Sequence, residues 1–173
     1  MMFRDSFADN YFACVLVRGL CMAGGAVSFL CIPQVFQSGL TLGHENPSGC
    51  SRVLNSRWAR IGSLPLGILG LIFYVACFSV AGMVKHPAWG VSYTWLVMPA
   101  TIAGGEAAVL TLLQFLAVRR TCWLCVVAQV IGCAISVVVF VGARSNGCLA
   151  ECLPEMALAV ACIACLTLLQ MFL

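Results

Sequence analysis

Cys122-Trp123-Leu124-Cys125 is the stretch of this 173-residue chain whose residue types and spacing most directly imply chemistry. Two thiols three residues apart at a helix start share one face and can close a disulfide. Arg119 and Arg120 come just before the pair, and a helix N-terminus adds its own partial positive charge. Both favour the thiolate, which is the reactive form of cysteine. The apolar run that CxxC opens continues to Ala143, so the pair is expected at the membrane-surface end of a buried helix.

The other groups able to do chemistry divide by their surroundings. Cys50 lies in the one substantial polar loop, residues 37–60, where a thiol is open to exchange. Cys162-Ile163-Ala164-Cys165 repeats the CxxC spacing, but inside an apolar run with no charge nearby. A low dielectric disfavours thiolate, so that pair reads as inert. Cys148 and Cys152 flank a polar turn on the side opposite the CxxC and read as free thiols in a reducing cytoplasm, though four residues apart they could pair or bind a metal. His44 and His86 lack metal-ligand spacing and read as solvated loop residues. Glu106 is the exception among the acids, because an ionisable group in the middle of an apolar span is expensive and usually functional. Two readings of it stay open: a proton relay, or a protonated side chain set against a neighbouring helix.

These groups need a scaffold, and composition says which. The chain is 62% hydrophobic and 9% charged, whereas a soluble domain is about 25% charged, so an all-α integral membrane protein is expected. Twelve cysteines are many, but most fall in apolar runs, where a thiol behaves as a small hydrophobe. The net charge of +3 is thinly spread, and no nucleic-acid partner or metal site is expected.

A hydrocarbon core needs about 20 helical residues per crossing. On that measure residues 1–18 form a head, Gly19 to Phe36 a first span with a close-packing Gly24-Gly25, and Ile61 to Val84 a second with Pro65 in its first turns. Ala88 to Val118 makes a third, longer than required, Cys122 to Ala143 a fourth and Met156 to Leu173 a fifth. Ser51 to Arg60 is expected as a short surface helix with Val53, Leu54 and Trp58 inward and Arg52, Arg57 and Arg60 outward. Two spans separate Cys50 from Cys122, which places both at the same membrane surface, within reach for stepwise thiol–disulfide exchange. Arg52, Arg57, Arg60, Arg119 and Arg120 would share that side, against Arg4, Arg18, Lys85 and Arg144 on the other, so charge asymmetry does not fix the orientation.

Cys50-Ser51-Arg52-Val53-Leu54-Asn55-Ser56-Arg57-Trp58, followed by Leu64-Pro65-Leu66-Gly67-Ile68-Leu69-Gly70-Leu71-Ile72-Phe73-Tyr74, resembles the vitamin K epoxide reductase family. The first segment is close to the vertebrate form; the second, with five apparent spans, is similar to bacterial homologues. With Cys122-x-x-Cys125 in place, the resemblance covers about residues 19–143. It implies a four-helix bundle around a quinone site, plus a fifth transmembrane helix over 144–173, with the 37–60 loop extracytoplasmic. It also implies that Cys125 faces the quinone, that Cys122 exchanges with a loop cysteine, that Cys50 is the second loop cysteine, and that Ser56 lies near the quinone.

The chain departs from the family pattern in three places. The family's further loop cysteine is missing, since Gly43 and His44 stand in its neighbourhood. Either Cys50 receives electrons directly as a mixed disulfide, or Cys31 substitutes. The chain stops at Leu173 with no thioredoxin-like domain, so a thioredoxin-like partner acting in trans is expected. Val126-Val127-Ala128-Gln129 replaces the vertebrate tyrosine after CxxC, which favours a respiratory quinone (ubiquinone or menaquinone) over vitamin K epoxide. The resulting expectation is a membrane thiol oxidoreductase of the bacterial inner membrane, with its site facing the periplasm or exterior. It would carry electrons from protein thiols through Cys50 and Cys122–Cys125 to quinone. A redox-inactive relative that binds a partner protein, and a cysteine-based metal handler, are the competing expectations.

Overall fold

The computed structural model describes residues 2–40, 49–54, 56, 59–61, 64–85, 94–119, 121–145 and 152–172. His44, His86, Cys148, Arg57, Trp58 and Arg120 lie outside them. Among the described residues, six helices follow in order: α1 (Met2–Leu40), α2 (Gly49–Leu54), α3 (Leu66–Lys85), α4 (Thr94–Leu113), α5 (Trp123–Ser145) and α6 (Leu153–Phe172). Between α2 and α3, Arg60–Ile61 (β1) and Leu64–Pro65 (β2) pair antiparallel as a minimal hairpin.

Among the described residues, four helical stretches are long and apolar enough to cross a membrane: Tyr11–Pro33, Leu66–Val84, Thr94–Leu116 and Trp123–Ser145. A shorter apolar stretch, Met156–Cys165, lies in α6. Their outward faces carry Phe12, Met22, Phe29, Ile72, Val75, Trp95, Leu112, Val130, Val137 and Val141 to the surface. So much exposed apolar area suits lipid and not water. This is an all-α integral membrane protein.

The bundle is built by α1 packing along α3 and α5, and α5 along α4, while α6 lies outside against α4. One end of the core is filled by Cys14, Val17 and Cys21 of α1, Tyr74, Cys77 and Ala81 of α3, Leu96, Val97 and Ala100 of α4, and Ile135, Val139 and Ala143 of α5. The cysteines there serve as small apolar filler, with Cys21 and Cys77 in thiol–thiol contact across the α1–α3 seam. Tyr74 locks three helices together. Its ring fills the space a Cβ on Gly24 would need, and its hydroxyl donates to the Ala128 carbonyl of α5 at 3.0 Å. On the α4–α5 seam, the Ser136 hydroxyl donates to the Ala100 carbonyl at 2.5 Å.

The element boundaries differ from the sequence expectation in five places. No break separates residues 1–18 from the first span, because α1 is one helix of 39 residues. At 1.5 Å per residue it is about 58 Å long, against a hydrocarbon core of about 30 Å. Arg18 therefore falls inside the crossing stretch, and its guanidinium lies over the Phe78 ring, 4.3 Å from the centroid. The aromatic face and the apolar stem make that placement tolerable. α1 continues to Leu40, past residue 37, the expected start of the loop. The expected surface helix ends at Leu54. Ser56 and Ala59 then close successive turns by donating their N–H groups to Val53 and Ser56 carbonyls, both at 3.1 Å. Val53 and Leu54 point inward and Arg60 outward as expected, although Arg60 stands in β1 and not in a helix. Pro65 ends β2 immediately before α3, where its missing N–H costs nothing. Finally, the long third span closes with a five-residue π-helical turn, Gln114–Val118.

The Tyr74 lock yields a stability prediction. Gly24→Ala should destabilise the protein by about 1–3 kcal/mol, the usual effect of overpacking a filled site. Gly19→Ala, on the same helix with nothing within 4 Å of its Cβ, should be neutral or slightly stabilising. Unfolding temperatures of the two variants in one detergent decide it, and equal shifts would dismiss the lock.

Candidate functional site

The decisive local feature is the start of α5. The π-turn ends at Arg119, whose φ of 51° and ψ of 30° put it in the left-handed region. Cys122 stands immediately before α5 as its N-cap. The carbonyl of Cys122 accepts the first helical hydrogen bond, from Val126 N–H at 3.0 Å. The first N–H groups of a helix have no partner inside it and need an acceptor. Here the acceptor is sulfur: the Leu124 and Cys125 N–H groups point at the Cys122 thiol.

Cys122 is fully buried, and its thiol is lowered to about 6, principally by a hydrogen bond from the Cys125 thiol. Burial works the other way, and hydrogen bonds from Cys50 and from the Cys125 and Leu124 N–H groups add to the lowering. Cys50 sits opposite, at the start of α2. Burial pushes its thiol up, as does its hydrogen bond to Cys122, against the Leu124 and Trp123 N–H groups that pull it down. The sequence pairing of Cys50 with the CxxC mouth is thus realised as direct contact. The ordering, with Cys122 the more acidic sulfur, makes Cys122 the stronger leaving group in exchange.

A fourth sulfur completes the cluster. Cys31, on the last turns of the first crossing stretch, is buried with Cys50, Val53, Leu54, Cys122 and Leu124. On sequence alone it is one of two alternatives for the exchanging thiol. Its signal is local: Ser28 and Cys31 are three apart and so share a face of α1.

Below the cluster lies a cavity of about 360 Å³, walled by α1, α3, α4 and α5 and covered by Val53, Leu54, Ser56, Ala59 and Ile61. That is within the size range of small-molecule sites, as are its apolar walls with few polar groups. Cys125 and Cys31 line it, whereas Cys122 and Cys50 do not. Ser56 lines it too, its hydroxyl donating to the Val53 carbonyl at 2.7 Å. Gln129 enters the wall from α5, with its Oε1 accepting from Thr111 at 2.8 Å. Glu106 lines the same space, and its Oε1 is buried without a hydrogen-bond partner.

A profile of the vitamin K epoxide reductase family matches residues 15–140, well over half of the chain. The chain belongs to the vitamin K epoxide reductase family. No curated relative matches it. The family is one of membrane thiol oxidoreductases, and the matched residues contain the whole thiol cluster and all four cavity walls. The second CxxC is not part of this arrangement: Cys162 and Cys165 sit within α6, outside the bundle. Among the described residues, no group of three His, Cys, Asp or Glu side chains could hold a metal ion.

The depressed Cys122 thiol predicts a pH dependence. An ordinary thiol protonates near 9.0, but this one only near 6 in the folded protein. The stabilisation this gives the reduced protein is full above pH 9 and is lost as pH falls to 6. Ultraviolet thiolate absorbance of reduced protein should titrate near pH 6 and lose that component in Cys122→Ser. In Cys125→Ala the midpoint should move up, since the largest contributor is gone. A wild-type signal rising only near 9 would refute the assignment.

Proposed function

We propose that this protein is a quinone-dependent thiol–disulfide oxidoreductase that carries electrons from protein thiols to a membrane quinone. The observation that carries this reading is the position of Cys125. It is hydrogen-bonded to the exchange-side thiol Cys122 and simultaneously forms part of the cavity wall. A sulfur with both neighbours can receive electrons on one side and discharge them on the other.

In the oxidised pair, Cys122–Cys125 is a disulfide. Cys50, as thiolate, attacks the Cys122 sulfur; the Cys122–Cys125 bond breaks, and Cys125 leaves as a thiolate facing the cavity. The N–H groups at the start of α5 hold the negative charge that develops on the sulfurs. A second thiol then resolves the Cys50–Cys122 mixed disulfide and frees Cys122, so two electrons rest on the CxxC pair. A quinone bound in the cavity supplies the two-electron, two-proton sink. Ser56 and Gln129 line the wall beside it, and Val53, Leu54 and Ile61 exclude water above.

The resolving thiol comes from the partner protein or from Cys31, which the buried cluster holds beside both Cys50 and Cys122. A thioredoxin-like protein acting in trans would supply that partner thiol. The quinone would be ubiquinone or menaquinone, and the site would face the periplasm or exterior of a bacterial inner membrane, supporting disulfide formation in secreted proteins.

The direct test is quinol formation by purified protein in nanodiscs, given a reduced thioredoxin-like protein and quinone, with Cys122→Ala abolishing it. Disulfide mapping of Cys125→Ala under oxidising conditions then resolves the route. A Cys50–Cys122 bridge means the loop thiol meets Cys122 itself, and a Cys31–Cys122 bridge means α1 supplies the exchanging thiol. If Cys122 stays a thiol, the reading loses its mechanism and the redox-inactive alternative stands.

A further inference from the structure

Glu106 is not used by the thiol chemistry, yet it is placed where a ligand must be. It lies midway along the third crossing stretch, Thr94–Leu116, and lines the cavity. Among the described residues, its Oε1 is the buried side-chain oxygen or nitrogen left without a hydrogen-bond partner. A buried polar atom without a partner is costly, so such an atom in a native fold calls for an explanation. Three other polar groups of the wall have partners. Tyr74 donates to the Ala128 carbonyl, Ser56 to the Val53 carbonyl, and Gln129 accepts from Thr111. No lysine, arginine or histidine lines the cavity among the described residues. The carboxyl therefore faces no counter-charge, and its neutral acid form has an O–H to donate.

We infer that Glu106 is the polar anchor of the cavity: its carboxylic acid donates a hydrogen bond to a carbonyl oxygen of the bound ligand. The complementary ligand is an apolar body carrying an acceptor oxygen, which a quinone is and an alkane, a sterol tail or a cation is not. This rests on the quinone reading above and adds the group that fixes the ring. It also separates two roles along the cavity: sulfur at the mouth exchanges electrons, and the acid on α4 holds the ligand oxygen and a proton at Oε1.

The test measures binding, not turnover, in a Cys125→Ala background where no electron transfer can occur. A short-chain ubiquinone analogue is titrated calorimetrically into nanodisc-embedded protein carrying Glu106, Glu106→Gln or Glu106→Leu. Infrared difference spectra on adding the analogue follow the carboxylic-acid carbonyl band. Expected are an acid band that shifts on binding and is absent from Glu106→Gln. Glu106→Gln, which keeps an N–H donor, should bind within about threefold of the parent, and Glu106→Leu roughly tenfold more weakly. An unmoved acid band together with unchanged affinity in both variants would overturn the anchor while leaving the quinone reading intact. No saturable binding to the parent would overturn both. If Glu106→Leu does not fold, the band shift and its loss in Glu106→Gln decide alone.

Discussion

The N-terminus of α5 is the constraint on which the site depends. A helix entering a membrane brings unpaired N–H groups with it, and in a low dielectric each needs an acceptor. Most helices supply a hydroxyl or carboxylate at the N-cap. This one supplies sulfur, with the Leu124 and Cys125 N–H groups directed at Cys122. Capping and activation become one interaction, since the donors that finish the helix are those that stabilise a thiolate. Cys50 draws on the same helix end through the Leu124 and Trp123 N–H groups. A negative sulfur on either side of the exchange thus finds the same helix end.

The preceding turn makes this geometry reachable. The π-helical turn and the left-handed Arg119 bring the chain from α4 into α5 with scarcely any loop. Such a conformation at a non-glycine residue is uncommon, and is retained where the surroundings over-determine it. It keeps α4 and α5 packed side by side down to Gly104, where a Cβ would stand 2.6 Å from the Ser136 hydroxyl. Tyr74 braces the opposite corner between Gly24 and Ala128. With these two seams closed, the four helices part at the CxxC end instead of collapsing, and the α2 segment and hairpin roof the space.

Much of this is legible in the sequence because it comes from counting. Apolar run lengths give the crossings, and two crossings between Cys50 and Cys122 force a shared surface. The CxxC at the head of an apolar run gives the cap. The rest depends on partners that counting cannot see. Arg18 reads as a boundary because a charge usually ends a span, but Phe78 across the seam gives it a face to lie on. The surface helix is overextended in the sequence reading because its polar and apolar residues suit a helix; the chain instead closes into turns and a hairpin, placing Ser56 in the cavity wall. Cys31 belongs to an apolar helix and resembles the filler cysteines Cys14 and Cys21 in everything but depth. Only the packing of α1 against α2 and α5 reveals which thiols meet.

Spacing alone does not make a redox pair, as the second CxxC illustrates. Cys162 and Cys165 share the face geometry of Cys122 and Cys125, being three residues apart on a helix. In the interior of α6 each backbone N–H is bonded four residues back, so no orphan donor remains for a sulfur. They neither line the cavity below the first pair nor join its thiol cluster. The first pair differs in one respect that carries all the others: its leading cysteine stands at the point where the helix has not yet begun to satisfy itself. Moving the motif one turn inward would keep its sequence signature and the disulfide geometry, but remove the donors that stabilise its thiolate.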